Sequence, residues 1–318
     1  MISDEPFRVV SVNVSEKKGT IKLPVASIQI GSLGVDKDAH AGDWLRQVSL
    51  LGEESILKFN KMLHRELQYG EFAENITTRG RILFKMSPLD RLKIGNAELE
   101  ITQIGKECHG KNCAIFQEVG KCVMPKEGIF TRVVTGGQVM AGMDIEYVPY
   151  IYQVGVITLS DRASRGEYPD RSGQAVIRYM EDFFQQANRS CSVTYEVIPD
   201  DEQMLNRLLD QMTARPLDIL ITTGGTGIGP RDITPDVIKP RLTRELPGIM
   251  EMMRVRYGAE KPGALLSRGV AGLMGNALVY TLPGSIRAVQ EHMEEILKTL
   301  QHAVWMLHGL DIHSSNHQ

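Results

Sequence analysis

The chain has 318 residues, of which 42% are hydrophobic, 24% charged and 6% aromatic, with a formal net charge of -3. That length suggests about two domains of ~150 residues each, and the balance of apolar and charged residues excludes a wholly disordered chain. No apolar run approaches the ~20 residues that cross a bilayer, and the acidic start MISDEPFRVV lacks a secretory leader's basic and apolar regions, so a cytoplasmic, membrane-free setting is expected.

Up to Val148 there are 19 Lys and Arg against 19 Asp and Glu, and beyond it 17 against 20. Neither half is the basic body that holds long nucleic acid, so any phosphate recognition must come from a local device. From Arg8 onward, short segments such as 8–14 and 98–102 alternate polar and apolar residues, the mark of half-buried strands. Gly19, Gly31, Gly95, Gly136, Gly137 and Gly142 punctuate them as turns. One helix is predicted at 53–63, with Ile56, Leu57, Phe59 and Leu63 on its apolar face. Residues 1–148 therefore read as a β-rich, barrel-like domain closed by a strand at 144–148, and 149–152 as a linker.

The period then changes. Residues 154–159 form a nearly continuous apolar run, typical of a strand covered on both faces. A helix at 172–187 follows, with Val176, Met180, Phe183, Phe184 and Ala187 at helical spacing, then a strand at 193–198 and a helix at 202–212. Strands at 217–223 and 277–282 come next, and a final helix carries Val289, Met293, Ile296, Leu297, Leu300, Val304 and Leu307. The fold class is α/β overall, and 153–310 is predicted to be a three-layer α/β domain with a mostly parallel sheet. A polar tail, 311–318, ends the chain.

In such a sheet, ligands gather beyond the carboxyl ends of the strands. Four such ends carry unusual residues: Ser160, Asp161 and Arg162; Asp200 and Asp201; Thr222 through Gly227 with Arg231, Asp232, Thr234 and Asp236; and Pro283, Gly284 and Ser285. Thr223, Gly224, Gly225, Thr226 and Gly227 can turn several backbone N–H groups into one anion-binding concavity. The loop at Pro283 opens a helix, whose free N–H groups favour a second anion. Asp200 and Asp232 are expected at the ends of neighbouring strands beside this cradle. Each alone also suits a helix cap or turn, but carboxylates beside phosphates repel unless a divalent cation lies between them. Mg²⁺ suits the place, because it takes one or two carboxylates plus phosphate oxygens and water. With Arg231 these groups describe a nucleotide-phosphate site, and the absence of GxxxxGK[ST] excludes a Walker-type loop.

Over residues 151 to about 310 the chain resembles the molybdopterin adenylyltransferases of the MogA type and the related domains of MoaB and gephyrin. The matching pieces are LSDRAS (159–164), IPD (198–200), TTGGTG (222–227), RDITPD (231–236) and LPG (282–284), in the family's order. The resemblance implies transfer of the AMP part of ATP to the terminal phosphate of molybdopterin, with release of pyrophosphate. It assigns Asp200 and Asp232 to Mg²⁺–ATP and the catalytic step, and residues 224–227 to nucleotide or pterin phosphate. Ser160, Asp161, Arg162, Ser267, Arg268, Pro283, Gly284 and Ser285 are implied to line the pterin site. The family's C-terminal domains commonly form trimers, so a homotrimer is expected.

Three of the four cysteines, Cys108, Cys113 and Cys122, fall close together, and Cys191 stands alone. His109 and three thiols would supply four zinc ligands, but Cys-x4-Cys and Cys-x8-Cys match no common structural arrangement. Cys122 reads as an ordinary buried thiol. Cys108 reads as a reactive one, since Lys106, His109 and Lys111 lower a thiol's pKa. Residues 8–148 resemble a MOSC domain, named for the C-terminal part of molybdenum cofactor sulfurase, through GVDKDAHAG (34–42), FAENIT (72–77), Thr102 and Gln103 leading to Cys108, and CVMPKEGIFTR (122–132). Cys108 matches that domain's characteristic cysteine, to which sulfur carriage or contact with molybdenum is attributed; His40 and Arg132 are candidates for an anionic pterin or a persulfide.

The two resemblances imply a bifunctional protein of molybdenum cofactor biosynthesis, whose N-terminal half binds, sulfurates or delivers the pterin or cofactor. Its partners would be molybdopterin, ATP, and a molybdenum-insertion protein or sulfur donor. A carrier holding pterin without turnover is the alternative, although it would need no Mg²⁺-binding carboxylates. A molybdenum-dependent reductase is a third, but the chain has no flavin or iron–sulfur motif.

Overall fold

The computed structural model describes residues 6–106 and 122–310. The chain divides between Tyr150 and Ile151, and the second unit runs Ile151–Gly309.

Alternation in the first unit becomes strands with one buried face. They are β1 (Arg8–Val14), β2 (Leu23–Val25), β3 (Ser27–Gly31), β4 (Gly34–Val35), β5 (Val48–Gly52), β6 (Ile76–Arg79), β7 (Arg91–Ile94), β8 (Ala97–Ile104), β9 (Ile129–Thr135), β10 (Gly137–Met140) and β11 (Glu146–Val148). Eight pair in the order β11-β7-β8-β9-β5-β6-β1-β2, and β10-β3-β4 form a second sheet. Both sheets contribute to one core, where Val9 and Leu99 of the large sheet meet Ile30 and Val139 of the small one. The large sheet is curled but open, with β11 and β2 at its edges, which makes the barrel-like domain expected from the alternating pattern a half-barrel and leaves 146–148 an edge strand. The helix α1 (Glu53–Leu63) forms where predicted. Ile56 and Phe59 are buried, but Leu57 is 51% exposed and does not belong to the apolar face. Ile56 and Phe59 pack on Leu51, Phe72 and Phe130, and that narrow stripe turns Leu57 outward. A short helix, α2 (Met124–Glu127), precedes β9.

The second unit has strands β12 (Ile151–Leu159), β13 (Ser190–Ile198), β14 (Ile219–Thr223), β15 (Arg244–Glu245), β16 (Ala271–Met274) and β17 (Ala277–Leu282). Its helices are α3 (Asp161–Ser164), α4 (Ser172–Gln186), α5 (Glu202–Thr213), α6 (Thr234–Ile238), α7 (Pro247–Gly258) and α8 (Ile286–Leu307). The sheet order is β13-β12-β14-β17-β16-β15. The first four strands run parallel, β16 runs against β17, and β15 runs against β16. Leu205 and Leu209 of α5 and Val237 and Ile238 of α6 cover one face through Ile157, Leu220 and Val279. The buried stripes of α4 (Val176, Met180, Phe184) and α8 (Val289, Met293, Ile296, Leu300) supply the third layer. Burying such side chains stabilises by about 1.5–3 kcal/mol each. The register sets Leu159 beside Ile198, Thr158 beside Thr223, and Thr223 beside Leu282, so four strands end along one edge. No helix among the described residues is long and apolar enough to cross a membrane.

Candidate functional site

The site grows from those four ends. After β12, Ser160 caps α3, its Oγ accepting from the Ala163 N–H at 3.2 Å. Asp161 then meets Arg231 in a two-point contact, Nη2 to Oδ1 at 2.6 Å and Nε to Oδ2 at 3.1 Å. After β13, Asp201 and not Asp200 caps α5, accepting from the Met204 N–H at 2.8 Å. Asp200 is thereby left for other work. It and Asp161 exchange backbone N–H to carboxylate hydrogen bonds, both at 3.2 Å.

After β14, the chain turns through Gly224 (φ +99°) and Gly225 (φ +62°), the left-handed region that side chains avoid. A Cβ on Gly224 would lie 2.2 Å from the Leu159 carbonyl oxygen, so the backbones of two strand ends touch here. Thr234 secures the turn, its hydroxyl donating to the Gly224 carbonyl at 2.9 Å. Asp232 accepts from the Gly229 N–H at 2.8 Å, and a Cβ on Gly227 would stand 2.7 Å from the same carboxylate oxygen. Asp200 and Asp232 do not follow neighbouring strands as expected: β12 pairs with both β13 and β14 and stands between them. The loops fold over the end of β12 and still bring both carboxylates to one place.

That place is a cavity of about 1300 Å³, whose wall includes Asp161, Asp200, Arg231, Asp232 and Ser285. Of the residues named from the four strand ends and at 267–268, Asp201, Thr222, Thr223, Thr234, Asp236 and Arg268 do not lie on its wall; the others do. Thr223 is fully buried and its hydroxyl donates to the Pro283 carbonyl at 2.9 Å, tying two loops together. Arg268 grips the loop from behind: Nε donates to the Gly227 carbonyl at 2.6 Å, Nη1 to both Asp236 oxygens at 2.8 and 2.9 Å, and Nη2 to the Asp232 carbonyl.

Burial pushes the Asp200 carboxyl up, and the charges of Asp161 and Asp232 add to the effect, while the Asp161 N–H and Arg231 oppose it. Asp161 is held below its ordinary value by the hydrogen bonds from Arg231. No group of three or more His, Cys, Asp or Glu among the described residues makes a metal site by itself. The donor set instead suits a cation shared with a phosphate ligand: two converging carboxylates, one of them disfavoured as a lone anion.

Several wall residues were not found from the sequence. Asp170 accepts from the hydroxyls of Thr158 and Tyr195 at 2.6 Å each, from Ser172 Oγ at 2.8 Å, and from the Ser172 and Gly173 N–H groups. Burial pulls it upward, yet these donors outweigh burial and hold it below the ordinary carboxylate range. The pattern Asp-x-Ser-Gly before an apolar helix was the available signal. Arg162 lies over the Tyr168 ring, 5.2 Å from its centroid. Arg254, Lys261, Arg287 and His292 arrive from α7, α8 and the segment between them, for which no motif existed.

In the first unit, Cys108, His109 and Cys113 lie outside the described residues, as does the tail 311–318. Cys122 is half-buried against Val123, Met124 and Phe130. The two quoted motifs meet in a buried polar network. Lys22 Nζ donates to Asp38 at 2.6 Å, with both side chains 1% exposed. The same carboxylate receives the Asn75 amide at 3.0 Å and the His40 N–H at 2.9 Å. Burial raises Asp38, but the contacts with His40 and Lys22 prevail and hold it well below the usual carboxylate range. Glu74 is fully buried, accepting from the Gly70 N–H at 2.6 Å and Thr77 at 2.9 Å, and burial pushes its carboxyl up. Arg132 is bound by Glu100 at 2.6 and 2.9 Å, and the His40 ring is 3.4 Å from Asp38.

The chain belongs to the probable molybdopterin binding domain family, matched over residues 155–302, and residues 36–146 match the model of the MOSC domain. Among relatives of the second half, gephyrin of Dictyostelium discoideum is 37% identical over 161 residues, which are 49% of this chain and 22% of that protein. The molybdopterin adenylyltransferase of Helicobacter pylori strain J99 is 33% identical over 157 residues, 49% of this chain and 88% of that protein. The crystal structure of MoaB, a molybdopterin biosynthesis enzyme of Thermus thermophilus, is 37% identical, covers 50% of this chain and 98% of its own, and superposes with a TM-score of 0.45. The chain thus spans most of the bacterial transferase but under a quarter of gephyrin.

Proposed function

We propose that the second half is a molybdopterin adenylyltransferase and that the whole chain serves molybdenum cofactor biosynthesis. An oxygen of the pterin's terminal phosphate attacks the α-phosphorus of ATP, forming a new P–O bond. The bond from that phosphorus to the bridging oxygen breaks, and pyrophosphate leaves with the electron pair. The attacking phosphate is ionised at pH 7, so no strong general base is needed. The difficulty is to hold two polyanions together, which positioned donors overcome.

Each part of the wall has a task in this reading. The turn offers the N–H groups of Gly225, Thr226 and Gly227 to phosphate, the Gly224 N–H being taken by the Leu282 carbonyl at 2.9 Å, and Asp161 holds Arg231 beside them. The Ser285-capped start of α8 offers a second anion position. Asp200 and Asp232 would hold Mg²⁺ jointly with the nucleotide. When bound, that ion neutralises phosphate charge. The reading is carried by one observation: Asp200, released from capping by Asp201, shares a cavity with Asp232 and the glycine turn.

Incubating the full chain with molybdopterin and Mg²⁺–ATP should give adenylylated pterin by mass spectrometry. Tight pterin binding with no such product would make the protein a carrier instead. We assign the first half to binding, sulfurating or delivering the pterin or cofactor in a cytoplasmic, trimeric protein, with Cys108 as the sulfur-carrying thiol. Treatment with a persulfide donor, whose outer sulfur passes to the thiolate as the donor leaves as its thiol, should add one sulfur mass to the peptide containing Cys108. A peptide that stays unmodified would remove that role.

A further inference from the structure

His292 lies early in α8, is 8% exposed, and forms part of the cavity wall, but has no task in the adenylyl-transfer scheme. Its Nδ1 stands 2.7 Å from the Ala288 carbonyl oxygen. A carbonyl only accepts, so Nδ1 carries the proton. Burial lowers the basicity of the ring, with the Ala288 carbonyl and the Glu291 charge opposing, and favours the neutral form. In that tautomer Nε2 carries a lone pair, and it has no hydrogen-bond partner among the described residues. The Tyr257 ring lies 17° from parallel at 6.4 Å, and its hydroxyl donates to the Glu291 carbonyl at 3.0 Å, so α7 fixes the plane of the imidazole.

The rest of the wall makes this atom unusual. Arg162, Arg171, Arg254, Lys261 and Arg287 are donors, as are the N–H groups of the glycine turn. Of the wall's other carboxylates, Glu291 is engaged by Lys261 and Arg287, Asp161 by Arg231 and Asp170 by its ring of donors, while Asp200 and Asp232 are assigned to the Mg²⁺–nucleotide site. A phosphate oxygen is itself an acceptor and gains nothing from a lone pair. The amine or ring N–H of a nitrogen heterocycle does.

We propose that His292 Nε2 accepts a hydrogen bond from the amine or ring N–H of a bound amino-heterocycle and so selects for that ring. The identity of the two rings, pterin and adenine, rests on the adenylyl-transfer reading.

The test uses the full chain as wild type, His292→Phe, which keeps a ring against Tyr257, and His292→Gln, which restores an acceptor. Calorimetry measures affinity for molybdopterin, for Mg²⁺–ATP and for purine riboside triphosphate, whose base has neither amine nor ring N–H. His292→Phe should weaken one natural ligand about tenfold, the scale of one lost hydrogen bond, and His292→Gln should recover most of it. A loss with ATP but not with purine riboside triphosphate assigns the contact to adenine; a loss with molybdopterin assigns it to the pterin. In the wild type, the ¹⁵N shift of His292 Nε2 should move when that ligand binds, a readout independent of whether a variant folds. Affinities unchanged in His292→Phe, or an Nε2 shift that neither ligand moves, would overturn the proposal. Wild-type protein that shows the His292 dependence but makes no adenylylated pterin would sink the transferase reading alone. Product formation with a silent His292 would sink this one alone.

Discussion

Asp200 places function and stability in opposition. Its carboxyl is raised by burial and by two neighbouring acids, so the folded state holds the proton more firmly than the unfolded chain does. Such a group favours folding fully below its unfolded pKa, and the benefit disappears as pH rises through the raised value. Asp200→Asn removes the buried charge. Its melting temperature without ligands should therefore exceed wild type at pH 7, by about 2–4 °C per kcal/mol regained, and converge with it in acid. Adenylyl transfer should fall at least about a hundredfold. A lower melting temperature at pH 7 would mean that the ionised carboxylate is structural. Lys22 presents the reverse case. Its partner Asp38 is as buried as it is, so Lys22→Met leaves an uncompensated charge and should cost about 3–5 kcal/mol in urea unfolding. A loss under about 1 kcal/mol would show that Asn75 and the His40 N–H suffice.

Elements were legible where packing simplifies the pattern. β14 and β17 are covered on both faces and read as continuous apolar runs, while α4 and α8 each bury one stripe. α7 was not read, because Met250 and Met253 are buried while Met252 and Val255 are exposed, which leaves no clean stripe. The antiparallel pair of β15 and β16 is short and was missed for the same lack of period. The site shows the same division. The glycine turn and its acids stand in local sequence because backbone geometry demands them locally. Lys261 and His292 reach the wall through the packing of α7 and α8, which no local spacing records. Asp200 and Asp232 line one cavity, but not from neighbouring strands, since β12 lies between them.

At the scale of the whole molecule, a net charge of -3 excludes a nucleic-acid body and suits a protein that grips small polyanions by local means. Some cationic side chains around the cavity are paired where they stand, Arg231 with Asp161, and Lys261 and Arg287 with the one Glu291. Under the proposed function, joining this unit to the MOSC-matching half would place two handlers of one small ligand on a single chain and raise the effective concentration of an intermediate passing between them. The central claim is adenylyl transfer, and the most direct measurement is the pyrophosphate released per pterin consumed, in wild type and Asp232→Asn. The account predicts one pyrophosphate for each pterin in wild type, strict dependence on Mg²⁺, and a rate at least about a hundredfold lower in the variant. Full activity of Asp232→Asn at saturating Mg²⁺–ATP, or release of orthophosphate in place of pyrophosphate, would contradict it.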